Sequence, residues 1–191
     1  MAVVAKTKLR SAAGSRRWTY EDYLQIPDDG QRYEIIWGEL HVVPSPIPAH
    51  QRIGGSLFAL LHAHVRSNRL GEVYAAPLDV VLAVHNVVQP DVLFIAQEHL
   101  SIITATNVTG APDLVVEVLS PGTAARDRST KRDAYAAAGV PHYWLADPRS
   151  RSLEAYELRQ GSYALVYRGT DGDLFQPAVF PGLTIDLSQL W

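Results

Sequence analysis

The chain has 191 residues, 47% of them hydrophobic and 19% charged, with a net charge of −3 and no cysteine. That composition suits one soluble globular domain of mixed class and excludes disulfide frameworks and thiolate metal sites. No apolar run approaches the roughly 20 residues of a membrane span, and the first residues lack the apolar core of a signal peptide, so a cytoplasmic protein is expected.

Residues 1–17 carry Lys6, Lys8, Arg10, Arg16 and Arg17 without a single acid, and read as a flexible basic tail. Residues 18–191 are expected to form a single domain. That remainder is more acidic than the total, so it would repel a polyanion unless cations are focused at one place or a divalent ion intervenes. Thr19 has the character of an N-cap, with acids in the first turn of a short helix that ends before Pro27. Residues 32–36 and 39–43 read as a hairpin about Trp37-Gly38, and Pro44, Pro46 and Pro48 stiffen the loop that follows. Over residues 50–68, Ile53, Leu57, Leu60, Leu61, His64 and Val65 fall on one helical stripe. Gly54, Gly55, Ser56, Ala59 and Ala63 on the same helix permit close approach by a neighbour.

Residues 73–76, 78–84 and 87–95 are strand candidates, the second and third turning at His85-Asn86. Pro90 interrupts the third, and a proline there marks an edge, a bulge or the start of pairing. Leu114, Val115, Val116, Val118 and Leu119 make a nearly continuous apolar run closed by Pro112 and Pro121, the pattern of a strand buried on both faces. A helix over 126–138 should stop at Gly139 and Pro141. Residues 142–146 form another short strand, 153–158 and 163–167 a hairpin across Gln160-Gly161, and 183–186 a final strand. The pattern is α/β (α+β): a mixed β-sheet core flanked by helices, with β-hairpins near both ends.

Glu117 sits in the middle of the buried run, where an ionised carboxylate needs a partner. Asp91 stands at the entrance of a second apolar strand, Val92-Leu93-Phe94-Ile95. Were those strands neighbours, the two acids would form an oxygen-rich pocket suited to Mg²⁺ or Mn²⁺. Such a cation removes the penalty of the buried acids and activates water. The competing explanation is a turn-capping aspartate and a glutamate paired to an arginine. Downstream, Arg126-Asp-Arg-Ser-Thr-Lys-Arg132 places four cations at a helix start, a setting that favours phosphate. Asp127, Lys131 and Tyr135 share a helix face. Either Asp127 and Lys131 are a surface pair, or Lys131 reaches back toward Glu117 to orient water or stabilise a phosphate.

Taken together, Arg32-Tyr-Glu-Ile-Ile-Trp-Gly-Glu-Leu40, Gln89-Pro-Asp-Val-Leu-Phe94, Ala111-Pro-Asp-Leu-Val-Val-Glu-Val-Leu-Ser-Pro121, the Arg126 to Lys131 segment and Gly139-Val-Pro-His-Tyr-Trp-Leu145 are specific. With these motifs the chain from Trp18 onward resembles the Uma-two family of endonucleases in the PD-(D/E)xK restriction-endonuclease-like superfamily. The resemblance implies a restriction-endonuclease-like core and a Mg²⁺-dependent phosphodiesterase acting on nucleic acid, with DNA as the expected substrate. It makes Asp91 the motif aspartate, Glu117 the motif acid and Glu34 an additional active-site acid on the first hairpin. Leu119 stands where the motif lysine should be, and Lys131 on the following helix is the candidate replacement. The resemblance also implies a homodimer, because cutting two strands takes two sites.

Two other readings stay open: a nucleic-acid-binding or assembly module of the same fold with weak or no catalysis, and a metal-dependent hydrolase of a small phosphoester. His62 and His64 point apart on their helix and cannot chelate together, and His64 is expected to be a satisfied core histidine. His50 begins the same helix and could line the pocket. Asp113 fits a turn role as well as a site role. Tyr156, Tyr163 and Tyr167 could serve either an interface or the core.

Overall fold

The computed structural model describes residues 16–191. Lys6, Lys8 and Arg10 of the expected basic tail lie outside the described residues. Arg16 pairs with Asp22, and Arg17 Nε donates to the Trp37 carbonyl at 3.2 Å. Helix α1 (Tyr20–Tyr23) is closed by a capping box, in which the Thr19 hydroxyl accepts from the Asp22 amide and the Asp22 carboxylate accepts from the Thr19 amide.

Strands β1 (Arg32–Ile36) and β2 (Glu39–Val43) form the expected hairpin. Trp37 and Gly38 both adopt positive φ, 54° and 82°, which matches the two-residue turn that the right-handed twist of a hairpin favours. Helix α2 (Pro48–Asn68) begins two residues before the expected start, with Pro48 in its first turn where a missing N–H costs nothing. Its stripe of Ile53, Leu57, Leu61 and Val65 is buried. His64 is only half-buried, and its Nε2 has no hydrogen-bond partner, so it is not the satisfied core histidine that the stripe implied.

Strands β3 (Gly71–Ala75), β4 (Val80–Ala83), β5 (Asn86–Val88) and β6 (Val92–Ala96) follow. Pro90 lies where the chain leaves one sheet for another, because β5 pairs with β1 and β4 while β6 pairs with β3. After a 3₁₀ turn (Gln97–Ile102) come β7 (Val108–Thr109) and the buried strand β8 (Leu114–Val118). The helix after it is not regular. It runs as α3 (Ala124–Arg126), a π-helical turn (Asp127–Lys131) and α4 (Arg132–Ala138), closed by Gly139 at φ 85°. The remaining strands are β9 (His142–Asp147), β10 (Ser152–Arg159), β11 (Ser162–Thr170), β12 (Leu174–Phe175) and β13 (Ile185–Asp186).

One sheet has the order β2-β1-β5-β4-β7 and a second the order β11-β10-β9-β8-β6-β3, with β12-β13 as a separate pair. The fold is mixed α+β, with mixed sheets flanked by helices. Alternation along the central strands assigns residues to two cores. Val92, Phe94, Leu114, Val116, Val118, Trp144 and Ala146 face α2 and the C-terminal segment. Leu93, Ile95, Val115, Leu119, Tyr143 and Leu145 face Ile36 and Val88 of the other sheet and Tyr135 of α4. Because every second residue faces the same way, Asp91 and Glu117 belong to this second face, between the sheets and the helix. Both strands of the long hairpin pack inward through tyrosine: Tyr163 donates to the Val140 carbonyl at 2.8 Å and its ring lies 5.5 Å from that of Tyr143. Among the described residues, no helix is long and apolar enough to cross a membrane.

Candidate active site

Strand pairing settles the first question about the acids. β6 runs antiparallel to β8 with Val92 opposite Val116, and continuing that register by one residue sets Asp91 opposite Glu117. Glu34 arrives from β1 in the other sheet, on the same face as Ile36 of the shared core. The π turn contributes Asp127 and Lys131, both at most 3% exposed, and not the surface pair that their spacing also allowed. Such turns recur at functional sites because the extra residue re-aims the side chains around it.

The four acids and the lysine line a cleft with His50, Gln89, Arg32, Ser120 and Thr123, which holds about 450 Å³ of space open to solvent. Pro44 closes one wall and the loop around Gly122 packs against it. Lys131 stands in the middle. Its Nζ is 2.9 Å from Glu34 Oε1, 2.7 Å from Glu117 Oε1 and 3.9 Å from Asp127 Oδ1. Glu117 Oε1 also accepts from the Tyr135 hydroxyl at 2.6 Å, and Glu34 Oε1 from the Gln89 amide at 2.9 Å. Asp91 Oδ2 accepts from the Val118 amide at 2.7 Å and lies 3.2 Å from His50 Nε2. In each of Glu34, Asp91 and Glu117, one oxygen is held by the protein and the other makes no protein hydrogen bond. Among the described residues, no three Asp, Glu or His side chains already enclose an ion-sized space, because the ammonium of Lys131 lies between the acids.

Charge in this cleft is unbalanced. Burial pushes the Glu117 carboxyl well above the ordinary range against the pull of Lys131, and Asp127, Asp91 and Glu34 add to the rise. Burial likewise raises Asp127. The same burial would lower Lys131, but Glu117, Glu34 and Asp127 outweigh it and raise its pKa. Lys131 stays cationic, because Glu34 at 2.9 Å holds it even when Glu117 carries a proton. Burial, then Glu117, keep the Tyr135 phenol protonated, so it acts as a donor. Burial alone would lower His50, yet Asp91 outweighs it and holds the imidazole above its ordinary value.

Of the residues singled out from sequence, Glu34, Asp91, Glu117, Lys131 and His50 converge here. Asp113 does not: its carboxylate accepts from the Ala96 amide at 2.7 Å and pairs with His99 at the far end of the strand, the turn role. Sequence reasoning undervalued Asp127 and Tyr135. Their shared spacing of four with Lys131 was the available signal. Gln89 belongs to the Gln89-Pro-Asp motif, and nothing local marks its backbone amide as a partner for Glu34.

The fold is similar to that of the crystal structure of a "putative nuclease belonging to DUF820" from Anabaena variabilis, with a TM-score of 0.75 over 90% of this chain and 96% of that one at 19% identity. The chain is also similar to the uncharacterized protein sll1609 of Synechocystis sp., 28% identical over 160 residues that cover 82% of this chain and 85% of that protein. The model of the Uma2 family, described as "Putative restriction endonuclease", matches residues 20–188, a span that takes in all four acids and Lys131, and the chain belongs to this family.

Proposed function

We propose that this protein is a metal-dependent endonuclease that hydrolyses phosphodiester bonds of DNA in the cleft. The observation that carries the reading is the convergence of the carboxylates: Glu34, Asp91 and Glu117 meet in one cleft, each with one oxygen anchored and one left over, and a single ammonium contacts Glu34 and Glu117. Three buried acids, Glu34, Glu117 and Asp127, share one lysine beside the half-buried Asp91, an excess that burial disfavours unless protons or a cation offset it. The donors are all oxygen, which suits Mg²⁺ or Mn²⁺. Such an ion needs only one or two carboxylates when water and substrate phosphate complete its shell. Asp91 and Glu117, with Glu34 beside them, are the residues that would hold it. When bound, the ion would supply charge neutralisation at a phosphate that becomes more negative as it is attacked.

The chain's own groups divide the remaining work. Tyr135 and Lys131 orient Glu117, the Val118 amide and His50 orient Asp91, and the Gln89 amide orients Glu34. Lys131, kept cationic, acts as a donor that positions water or steadies negative charge on the phosphate, and not as a base. A homodimer belongs to the same proposal, since severing both strands of a duplex takes two such clefts.

Purified protein should cut DNA with Mg²⁺ or Mn²⁺. Glu117→Gln should abolish cutting and weaken Mn²⁺ binding in calorimetry, and full activity in that variant would sink the assignment. The contact of Lys131 with two acids also favours a second reading, a binding module that keeps the fold without the chemistry, because the ammonium satisfies those acids without an ion. No heat of Mn²⁺ binding at millimolar metal would favour that module.

A further inference from the structure

Lys131 owes its reach to an irregularity. The helix from Ala124 to Ala138 opens into a π turn over Asp127–Lys131, although its sequence carries helical periodicity. A π turn shifts the hydrogen-bond ladder by one residue, so a carbonyl at the shift turns to a donor from outside the ladder. Two hydroxyls meet carbonyls there. On the exposed side Ser129 Oγ donates to the Ala125 carbonyl at 2.7 Å, a contact of the kind that bends helices. On the buried side Tyr143 Oη donates to the Asp127 carbonyl at 2.9 Å.

Tyr143 belongs to β9, beside Val115 of β8, and is wholly buried on the sheet face that also carries Glu117. Its ring lies 5.3 Å from that of Tyr135, and burial, then Glu117 and Asp127, keep its phenol protonated, so it donates. Tyr135 in turn donates to Glu117 at 2.6 Å. Asp127, Lys131 and Tyr135 follow one another at intervals of four. The lysine therefore stands between two positions that are each tied to the central sheet by a tyrosine hydroxyl. Without the Tyr143 tie the Asp127 carbonyl would lose a buried donor. Relaxing the π turn to an α-helical one would then rotate Lys131 about the helix axis, away from its present aim at Glu34 and Glu117.

We propose that Tyr143 is a positioning residue of the cleft: by holding the Asp127 carbonyl it keeps the π turn, and through the turn it sets the Lys131 ammonium 2.9 Å from Glu34 and 2.7 Å from Glu117. Tyr143 does not line the cleft itself, so it acts through the turn. Its effect on cutting rests on the nuclease reading; its effect on the place of Lys131 does not. Supporting groups of this kind govern about 10–100-fold in metal affinity or activity.

The test compares Tyr143→Phe with Tyr163→Phe, which removes a hydroxyl from the same tyrosine cluster, there bonded to the Val140 carbonyl at 2.8 Å outside the π turn. Phenylalanine keeps the ring and its packing in each, and a loss of stability alone would act on both alike. The first readout is the proton–nitrogen NMR signal of the Lys131 ammonium, assigned by its disappearance in Lys131→Met. That signal is seen while the buried carboxylates shield the ammonium from exchange with water. It should persist in the unaltered protein and in Tyr163→Phe, and be lost in Tyr143→Phe. The second readout is DNA cutting with Mg²⁺: Tyr143→Phe should lower kcat about 10–100-fold with KM unchanged, and Tyr163→Phe should leave both as they are. Persistence of the Lys131 signal in Tyr143→Phe would overturn the positioning role while the nuclease reading stands. An unaltered protein that cuts no DNA, with the signal lost only in Tyr143→Phe, would overturn the nuclease reading and support the positioning role.

Discussion

Without the ammonium of Lys131, Glu34 and Glu117 would face each other in a buried space with no cation between them. Removing one partner of a buried ion pair costs about 3–5 kcal/mol, because the other charge stays buried and uncompensated. Lys131→Met keeps most of the side-chain volume, so denaturant unfolding at neutral pH should show a loss of that order. The stranded Glu117, already raised by burial, would then have a folded pKa further above its unfolded one. The penalty is therefore present above the unfolded value and fades as pH falls and Glu117 takes a proton. A loss that stays constant across the acid range would place the value of Lys131 in packing and not in charge. The residue's identity was legible in the sequence as a cation one helix turn past a loop. Its two carboxylate contacts were not, because they join residues 97 and 14 positions away in the chain.

Elements with strong local signals formed as their sequences dictate. Both hairpins turn on a residue followed by glycine, with Gln160 and Gly161 at φ 50° and 81° repeating the geometry of Trp37-Gly38. The stripe on α2 packs against β8, where Gly54 comes close to Val118; Gly55 faces open space and Ala59 and Ala63 are exposed, so those small residues do not serve the approach. Leu57, wholly buried in that stripe, gives the strength of the contact: Leu57→Ala should cost about 2–5 kcal/mol in thermal or denaturant unfolding. The long hairpin is tied to the helix through Glu154, which accepts from Tyr156 at 2.8 Å and pairs with Arg128 and Arg168. Burial would raise this carboxyl, but Tyr156, Arg128 and Arg168 outweigh it and hold it below its ordinary 4.5. A depressed value means stability that is present above the unfolded pKa and lost as pH falls through the folded one. Glu154→Gln should flatten the acid limb of the stability curve below about pH 4.5, and an unaltered limb would place the tie elsewhere. The π turn at Asp127–Lys131 had no sequence signature, since helix periodicity over 126–138 reads as regular.

At the scale of the whole molecule, the cleft exists because two sheets meet. Glu34 belongs to the sheet β2-β1-β5-β4-β7, whereas Asp91 and Glu117 belong to the sheet β11-β10-β9-β8-β6-β3. Pro90 marks the point where the chain crosses from one to the other, a function that its place before Asp91 hinted at but could not specify. The sequence by itself determined the strands, the capped and striped helices, the turn glycines, and the presence of acids in runs otherwise apolar. These follow from short-range sterics, periodicity and the cost of burying charge, all of which act within about a dozen residues. Only the tertiary structure decided which acids share a space and that Lys131 stands among them. Those outcomes depend on strand register and on the packing of one sheet against another, which bring together groups that no local pattern relates.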